Sequence, residues 1–171
     1  MMIWLVGMSG AGKTTIGRHL YKKRKSVERA TVLLDGDEIR RVFRHNHVPD
    51  AYTVGGRYRN AEHIVELCRL LDKQKIDVIC CILCIFPKIL LANRTEFSEY
   101  HEVHVHAPMS VLERRDTKGL YEAARKGLEK NVVGVDIDFP SPPNPDLFID
   151  TSKGISVDDS VSAVAKMVGW D

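Results

Sequence analysis

The chain has 171 residues, 44% of them hydrophobic and 28% charged, with a formal net charge of +2 at pH 7. Those values describe one ordinary globular domain over residues 1–171, large enough for a proper core, and they exclude a general nucleic-acid binder. No apolar stretch approaches the ~20 residues that span a bilayer, and the first strand opens the chain with no leader ahead of it, so we expect no membrane association and a cytoplasmic protein.

Ile3-Trp4-Leu5-Val6 is the first predicted strand. It runs into Gly7-Met8-Ser9-Gly10-Ala11-Gly12-Lys13-Thr14, and a helix-like segment follows from Thr15 to Tyr21. Strand, GxxxxGK[ST] and helix in that order are the context of a phosphate loop. The glycines let the backbone turn tightly, and a helix N-terminus adds unpaired N–H donors and a partial positive charge. Lys13 can reach the outer phosphates and the Thr14 hydroxyl can ligate magnesium. We read a nucleoside triphosphate site here, against the bland alternative of a glycine-rich turn that binds nothing. Lys22-Lys23-Arg24-Lys25 suits a helix C-terminus.

Ala30 to Leu34 reads as a second strand ending on Asp35-Gly36-Asp37. Parallel α/β sheets place ligands at such strand ends, so the two carboxylates suit magnesium and a substrate hydroxyl, with the two jobs undivided between them. A plain turn is the competing reading, because Asp-Gly is a common turn pair. Glu38 to Phe43 predicts a short helix carrying Arg40 and Arg41, and Arg44 to Gly56 a loop. Asn60 to Lys73 is amphipathic, with Ala61, Ile64, Cys68 and Leu71 on one face. Arg57, Arg59 and Asn60 would then stand at its start, where an anion is favoured.

Ile76 to Phe86 is the most apolar segment and predicts a central strand. It carries Cys80, Cys81 and Cys84, which with Cys68 read as buried apolar thiols; Cys81-x-x-Cys84 lacks the second pair a zinc site needs. A helix over Lys88–Phe97 and a strand over Tyr100–Val105 follow. Of the two readings for His101, His104 and His106, a strand with one wetter face outweighs a metal site. Ser110 is placed to cap a helix reaching Asp116. The basic region that follows, within 115–136, reads as a helical lid bringing cations to a transferring phosphate, the alternative being an exposed charged helix. Val132 to Pro145 is a loop or hinge, Leu147–Asp150 a last strand, and Val157–Val168 a C-terminal helix. This alternation predicts a three-layer α/β fold with a five-stranded parallel sheet.

Several of these segments together resemble the adenylylsulfate kinase family, from Gly7 to about Thr151. They are Gly7 to Thr15, Leu34-Asp35-Gly36-Asp37 with Arg40, Arg57-x-x-Asn60, Arg115-Asp116-x-Lys118-Gly119-Leu120-Tyr121 with Arg125, and Gly134-x-Asp136. The resemblance implies the P-loop kinase fold, ATP as phosphoryl donor with Mg2+, and transfer to the ribose 3′-hydroxyl of adenosine 5′-phosphosulfate. It also implies a place in sulfate assimilation and a homodimer. By position, Gly7, Ser9, Gly10, Ala11, Gly12, Lys13, Thr14 and Thr15 would bind ATP, with Thr14 and Asp35 holding the metal. Lys13, Asp35, Asp37, Arg115 and Lys118 would carry catalysis, Asp37 by orienting or deprotonating the accepting hydroxyl. Asp37, Arg40, Tyr52, Arg57, Asn60 and Lys118 would bind the acceptor, Tyr52 standing where the family has a phenylalanine that stacks on its base.

Three departures from the family pattern are expected on the acceptor side. Val132-Val133-Gly134-Val135-Asp136 stands for Phe-Thr-Gly-Ile-Asp, Phe86-Pro87-Lys88-Ile89 for Ser-Pro-Tyr-Arg, and Glu62 for an arginine. Val132 cannot stack as a phenyl ring does. ATP use is therefore expected, while acceptor identity stays open. A relative acting on another nucleotide, such as cytidine diphosphoramidate in capsule biosynthesis, is the main alternative. A gluconate- or shikimate-type kinase and a non-catalytic ATP-binding protein are the others.

Overall fold

The computed structural model describes residues 1–27 and 30–170. Strands β1 (Met2–Val6), β2 (Thr31–Asp35), β3 (Asp77–Ile82), β4 (Tyr100–His106) and β5 (Leu147–Asp150) form one five-stranded parallel sheet in the order β2-β3-β1-β4-β5. A strand buried on both faces needs apolar residues at every position, and β1 is buried throughout. Its side chains alternate between two cores. Ile3 and Leu5 face one layer with Ile79, Cys81, Val103 and Val105, while Met2, Trp4 and Val6 face the other with Val78, Cys80 and Ile82.

Helices α1 (Lys13–Lys25), α5 (Met109–Arg114), α6 (Leu120–Arg125) and α7 (Val157–Met167) cover the first face. Helices α2 (Gly36–Val42), α3 (Val54–Lys73) and α4 (Pro87–Glu96) cover the second. The expected three layers and parallel sheet are therefore present. From β1 the chain passes to the β2 edge, returns to β3, then crosses to β4. That reversal at β1 opens a crevice at the C-terminal strand ends, which is where the loops after β1 and β2 lie.

Four local expectations need correction. Helix α3 starts at Val54, not Asn60, because the Thr53 hydroxyl accepts the Gly56 N–H and caps it. Gly56 belongs to the helix because a Cβ there would lie 2.0 Å from the Asp50 carbonyl oxygen; only glycine lets the preceding loop pack so closely. Arg57 and Asn60 therefore project from inside α3 rather than from its first N–H groups. Strand β3 stops at Ile82, so Cys84 and Phe86 lie in the connection to α4. Ser110 is inside α5, whose N-cap is Pro108. Only Leu120–Arg125 of the charged region is helical, and a turn follows it. The basic run Lys22–Lys25 does form the last turn of α1, and Arg24 is drawn inward to Asp77 at 2.8 Å and over the Trp170 ring at 4.3 Å. Among the described residues no helix is long and apolar enough to cross a membrane, and no group of three or more His, Cys, Asp or Glu side chains is placed to hold a metal ion.

Among the polar groups buried on the second face is a carboxyl with an incomplete set of partners. Glu102 is 1% exposed and pairs in register with Trp4; it accepts from the Tyr100 hydroxyl at 2.9 Å and lies 3.8 Å from Arg94, leaving Oε1 without a hydrogen bond. Burial raises its pKa above 4.5, against the pull of Tyr100 and Arg94. A carboxyl whose folded pKa is raised favours the folded state below the unfolded pKa and loses that contribution as pH rises through the folded one. In urea titrations the stability of the parent relative to Glu102→Gln should therefore fall as pH is raised from 4.5 to 8. A difference that stays flat over that range would refute the assignment.

Candidate functional site

The loop after β1 sits at the crest of the sheet because β1 is central and its last residue, Val6, pairs with both Ile82 and His104. Lys13 curls back over the loop and donates to the Met8 carbonyl at 2.8 Å; burial lowers its pKa. Thr14 Oγ1 donates to Asp35 Oδ2 at 2.6 Å. Asp35 is the last residue of β2 and the N-cap of α2, with Oδ1 accepting the Asp37 N–H at 3.0 Å and the Glu38 N–H at 3.4 Å. That cap fixes Asp37 in the first turn of α2, facing the same crevice.

The segment after α5 closes the crevice from the other side. The Asp116 carboxylate accepts the N–H groups of Leu120 and Tyr121 at 2.9 and 2.7 Å and so starts α6. Tyr121, 2% exposed, donates its hydroxyl proton to the Ser9 carbonyl at 2.9 Å and ties α6 to the loop. Lys118 reaches Asp37 at 3.2 Å. Arg115 donates to the carbonyl and hydroxyl oxygens of Thr151 at 2.8 and 2.9 Å, and the Thr151 hydroxyl lies 3.0 Å from the Ala11 carbonyl oxygen. A further cavity of about 270 Å³ opens beside this pair, bordered by Gly12, Thr15, Arg115, Thr151 and Ile155.

Two cavities meet at Asp37. The first, about 220 Å³, is lined by Ser9, Gly10, Lys13, Thr14, Asp35, Asp37, Arg115 and Lys118 among others. The second, about 320 Å³, is lined by Asp37, Arg40, Tyr52, Arg57, Asn60, Lys118 and Val132 among others. Ser9, Gly36, Asp37, Leu83 and Lys118 border both.

The second cavity is built for an anion. Arg40, 6% exposed, donates to the Ala51 carbonyl at 2.6 Å and lies 4.8 Å over the Tyr52 ring, leaving its Nε without a partner. Arg57 donates to the carbonyls of Tyr52 and Asn131, both at 2.9 Å. Burial lowers both guanidinium pKa values, that of Arg57 further through its neighbour Arg40. Asn60 is 3% exposed with an unpaired Oδ1. Two close, desolvated cations and an unmet amide oxygen mark a place where a polar ligand completes the bonding.

A model of the adenylylsulphate kinase family matches residues 1–150. The chain belongs to the adenylylsulphate kinase family. Like that family it is a phosphotransferase with an alcohol group as acceptor. It is 37% identical to the cytidine diphosphoramidate kinase of Campylobacter jejuni over 165 residues, 96% of this chain and 94% of that protein. It is 35% identical to a probable adenylyl-sulfate kinase of Archaeoglobus fulgidus over 152 residues, 89% of this chain and 96% of that one. Its fold superposes on the Mycobacterium tuberculosis APS kinase CysC, solved with AMPPNP and APS, with a TM-score of 0.88 and 24% identity, covering 98% and 96% of the two chains.

Apart from Gly7, which packs against the Val105 carbonyl, the sequence-predicted residues of both ATP and acceptor sets line these three cavities, but the family departures do not all follow them. Glu62, Lys88 and Ile89 line a separate groove between α3 and α4, with Tyr58 set edge-on to Phe86 at 5.1 Å. The expected acceptor-side place of Glu62, Lys88 and Ile89 is corrected; of Glu62, Phe86, Lys88, Ile89 and Val132, only Val132 borders the acceptor cavity. The reason is helical geometry, since Glu62 sits two residues from Asn60 and points off a different face of α3. Residues that sequence reasoning did not assign are Tyr121 and Thr151, which brace the loop, and Asn131 and Asp136, which shape the acceptor wall. Asp136 accepts the N–H groups of Asn131, at 2.6 Å, and Val132. Tyr121 and Asp136 carried a signal through their motifs; Asn131, held through its backbone carbonyl, carried none.

Proposed function

We propose that this kinase transfers the γ-phosphoryl group of ATP to the ribose 3′-hydroxyl of a nucleotide, adenosine 5′-phosphosulfate being the leading acceptor. The observation that carries the reading is the position of Asp37 on the wall common to the phosphate-loop cavity and the arginine-lined cavity. A hydroxyl held there faces a base on one side and a phosphoryl donor on the other, which is the arrangement in-line transfer requires. The acceptor assignment rests on the family and on its adenylyl-sulfate kinase members.

In this mechanism the N–H groups from Ser9 to Thr14 cradle the donor phosphates, and Lys13 turns from the Met8 carbonyl onto the outer ones. Arg40, Arg57 and Asn60 hold the acceptor by its phosphate-like groups. Asp37 orients the 3′-hydroxyl and takes its proton, and Lys118 leaves Asp37 to face the transferring charge. Thr14 and Asp35 offer hard oxygen donors side by side, a set that fits magnesium; when bound, the ion would neutralise charge on the phosphate oxygens. The same reading includes one kinase domain over 1–171 with a lid around 115–136, supported by the basic composition of that stretch, a cytoplasmic location, and a homodimer and a place in sulfate assimilation, both supported by family resemblance.

A second reading, a pyrimidine nucleotide such as cytidine diphosphoramidate as acceptor, is favoured by Val132. This residue puts an aliphatic wall where a purine-stacking ring is expected, and the relative of that activity aligns over nearly the whole chain. An ADP-release screen over adenosine 5′-phosphosulfate, cytidine diphosphate derivatives, gluconate and shikimate tests the proposal. Release should depend on a nucleotide, with a 3′-phosphate product by 31P NMR. ATP binding without acceptor-dependent release would overturn it. In the same assay Thr151→Val, which removes the hydroxyl bonds to Arg115 and to the Ala11 carbonyl while keeping the backbone bond to Arg115, should raise the KM for ATP about three- to tenfold with kcat nearly kept; an unchanged KM would remove the Thr151 hydroxyl from the donor site.

A further inference from the structure

On the wall that the phosphate-loop cavity and the arginine-lined cavity share, the Ser9 hydroxyl, the Asp37 carboxylate and the Lys118 ammonium can each hold a water, and Gly36 has no side chain. Leu83 is the one apolar side chain on that wall. Core packing does not account for it. Leu83 is half-buried and is a member of neither hydrophobic core, although Ile82 before it and Cys84 after it are both buried in the second.

The sheet fixes where Leu83 stands. Val6 pairs in register with Ile82, and Asp35 with Cys81. One residue beyond β3, Leu83 therefore emerges between the start of the phosphate loop, which follows Val6, and the Asp35-Gly36-Asp37 turn, because β3 lies between β1 and β2. That is where an acceptor hydroxyl on Asp37 would meet the γ-phosphoryl group. A base that takes a proton from an alcohol takes one from water as well, so the polar groups of this wall do not by themselves separate the two nucleophiles. An alcohol brings carbon-bound hydrogens that rest on an aliphatic side chain. A water in the same place gives up hydrogen bonds and gains none.

We infer that Leu83 keeps this enzyme a transferase rather than an ATP hydrolase: it seats the carbon framework of the acceptor beside Asp37 and denies that place to water. This rests on the in-line transfer reading above and adds to it the residue that discriminates against hydrolysis. In the disfavoured reaction a water oxygen forms the bond to the γ-phosphorus and the bond from that phosphorus to the β–γ bridging oxygen breaks. ADP leaves with the bridging oxygen, and the water proton passes to Asp37.

The experiment follows free phosphate and ADP released from ATP with magnesium by the parent, Leu83→Asn and Leu83→Met. Each is assayed without acceptor, with adenosine 5′-phosphosulfate and with cytidine 5′-diphosphate. Transfer is the ADP not matched by free phosphate. Asparagine keeps the branching of leucine but replaces its methyl groups by hydrogen-bonding ones, whereas methionine keeps an apolar chain of similar size. Leu83→Asn should raise acceptor-free phosphate release about tenfold, with the KM for ATP within about twofold of the parent, and should lower the ratio of transfer to hydrolysis by about tenfold or more. Leu83→Met should restore the parent's ratio. Damage to the fold would lower both reactions together, so a gain in hydrolysis is not a structural side effect. Unchanged or lower phosphate release in Leu83→Asn, a fall of hydrolysis and transfer by the same factor, or an equal gain in Leu83→Met would each overturn the inference. Acceptor-free release is read whatever the acceptor is. If the parent transfers to neither nucleotide while Leu83→Asn gains hydrolysis, the acceptor assignment fails and the exclusion of water by Leu83 stands.

Discussion

Replacing Asp37 by alanine is expected to lower kcat by about three orders of magnitude while ATP affinity stays within about threefold of the parent. The carboxylate borders both cavities and its charge is felt at Lys13, but among the described residues its one ion pair is with Lys118. Losing it removes the group that orients and deprotonates the hydroxyl, while the donors that grip ATP, Lys13 and the loop N–H groups, stay in place. Asp37→Asn separates the two tasks. An amide oxygen can still accept a hydrogen bond from the hydroxyl but cannot carry its proton, so recovery of much of the lost rate in the asparagine variant would assign Asp37 to orientation. Single-turnover rates beside calorimetric titration with a non-hydrolysable ATP analogue give both quantities. A parallel collapse of nucleotide binding would show that Asp37 acts through the donor site and would end its assignment to the acceptor hydroxyl.

The second large effect is expected at Gly7. A Cβ at this position would lie 2.1 Å from the Val105 carbonyl oxygen and 3.2 Å from its carbon, and both atoms are backbone of the neighbouring strand β4. No side chain can swing aside to relieve the contact, so either β1 and β4 separate or the loop leaves its seat. Gly7→Ala should lose about 3 kcal/mol of stability in urea titrations, and ATP binding should weaken with it. Gly127→Ala is the control. Gly127 has φ +72° with nothing within 4 Å of its would-be Cβ, so alanine there should cost about 1 kcal/mol and leave ATP binding untouched. Equal, small losses at the two positions would show that the approach of Val105 to the loop is not a constraint.

Contacts between neighbours in sequence were readable beforehand, and contacts across the fold were not. The phosphate loop, the Asp35-Gly36-Asp37 turn and the cation-rich stretch around Lys118 are each written in residues a few positions apart, so they could be picked out from local spacing. The start of α3 was misplaced because the glycine pair at 55 and 56 normally breaks helices, whereas here the close approach of Asp50 and Ala51 demands the second of them. The acceptor-side departures were overassigned for a similar reason: nearness in sequence to Asn60 and to the end of β3 did not reveal that Glu62, Lys88 and Ile89 turn toward another groove.

From its residues alone, the chain determined the order of strands and helices, the identity of the triphosphate-binding loop and the family it belongs to, because hydrophobic period and a contiguous motif encode these directly. Only the tertiary structure decided that Arg57 meets Asn131, that Arg115 meets Thr151, that Tyr121 reaches Ser9, and that Asp37 stands where two cavities join. Those pairings join residues 36 to 112 positions apart. They depend on the sheet order β2-β3-β1-β4-β5, which brings the ends of distant strands to one crest, and no local pattern carries that order.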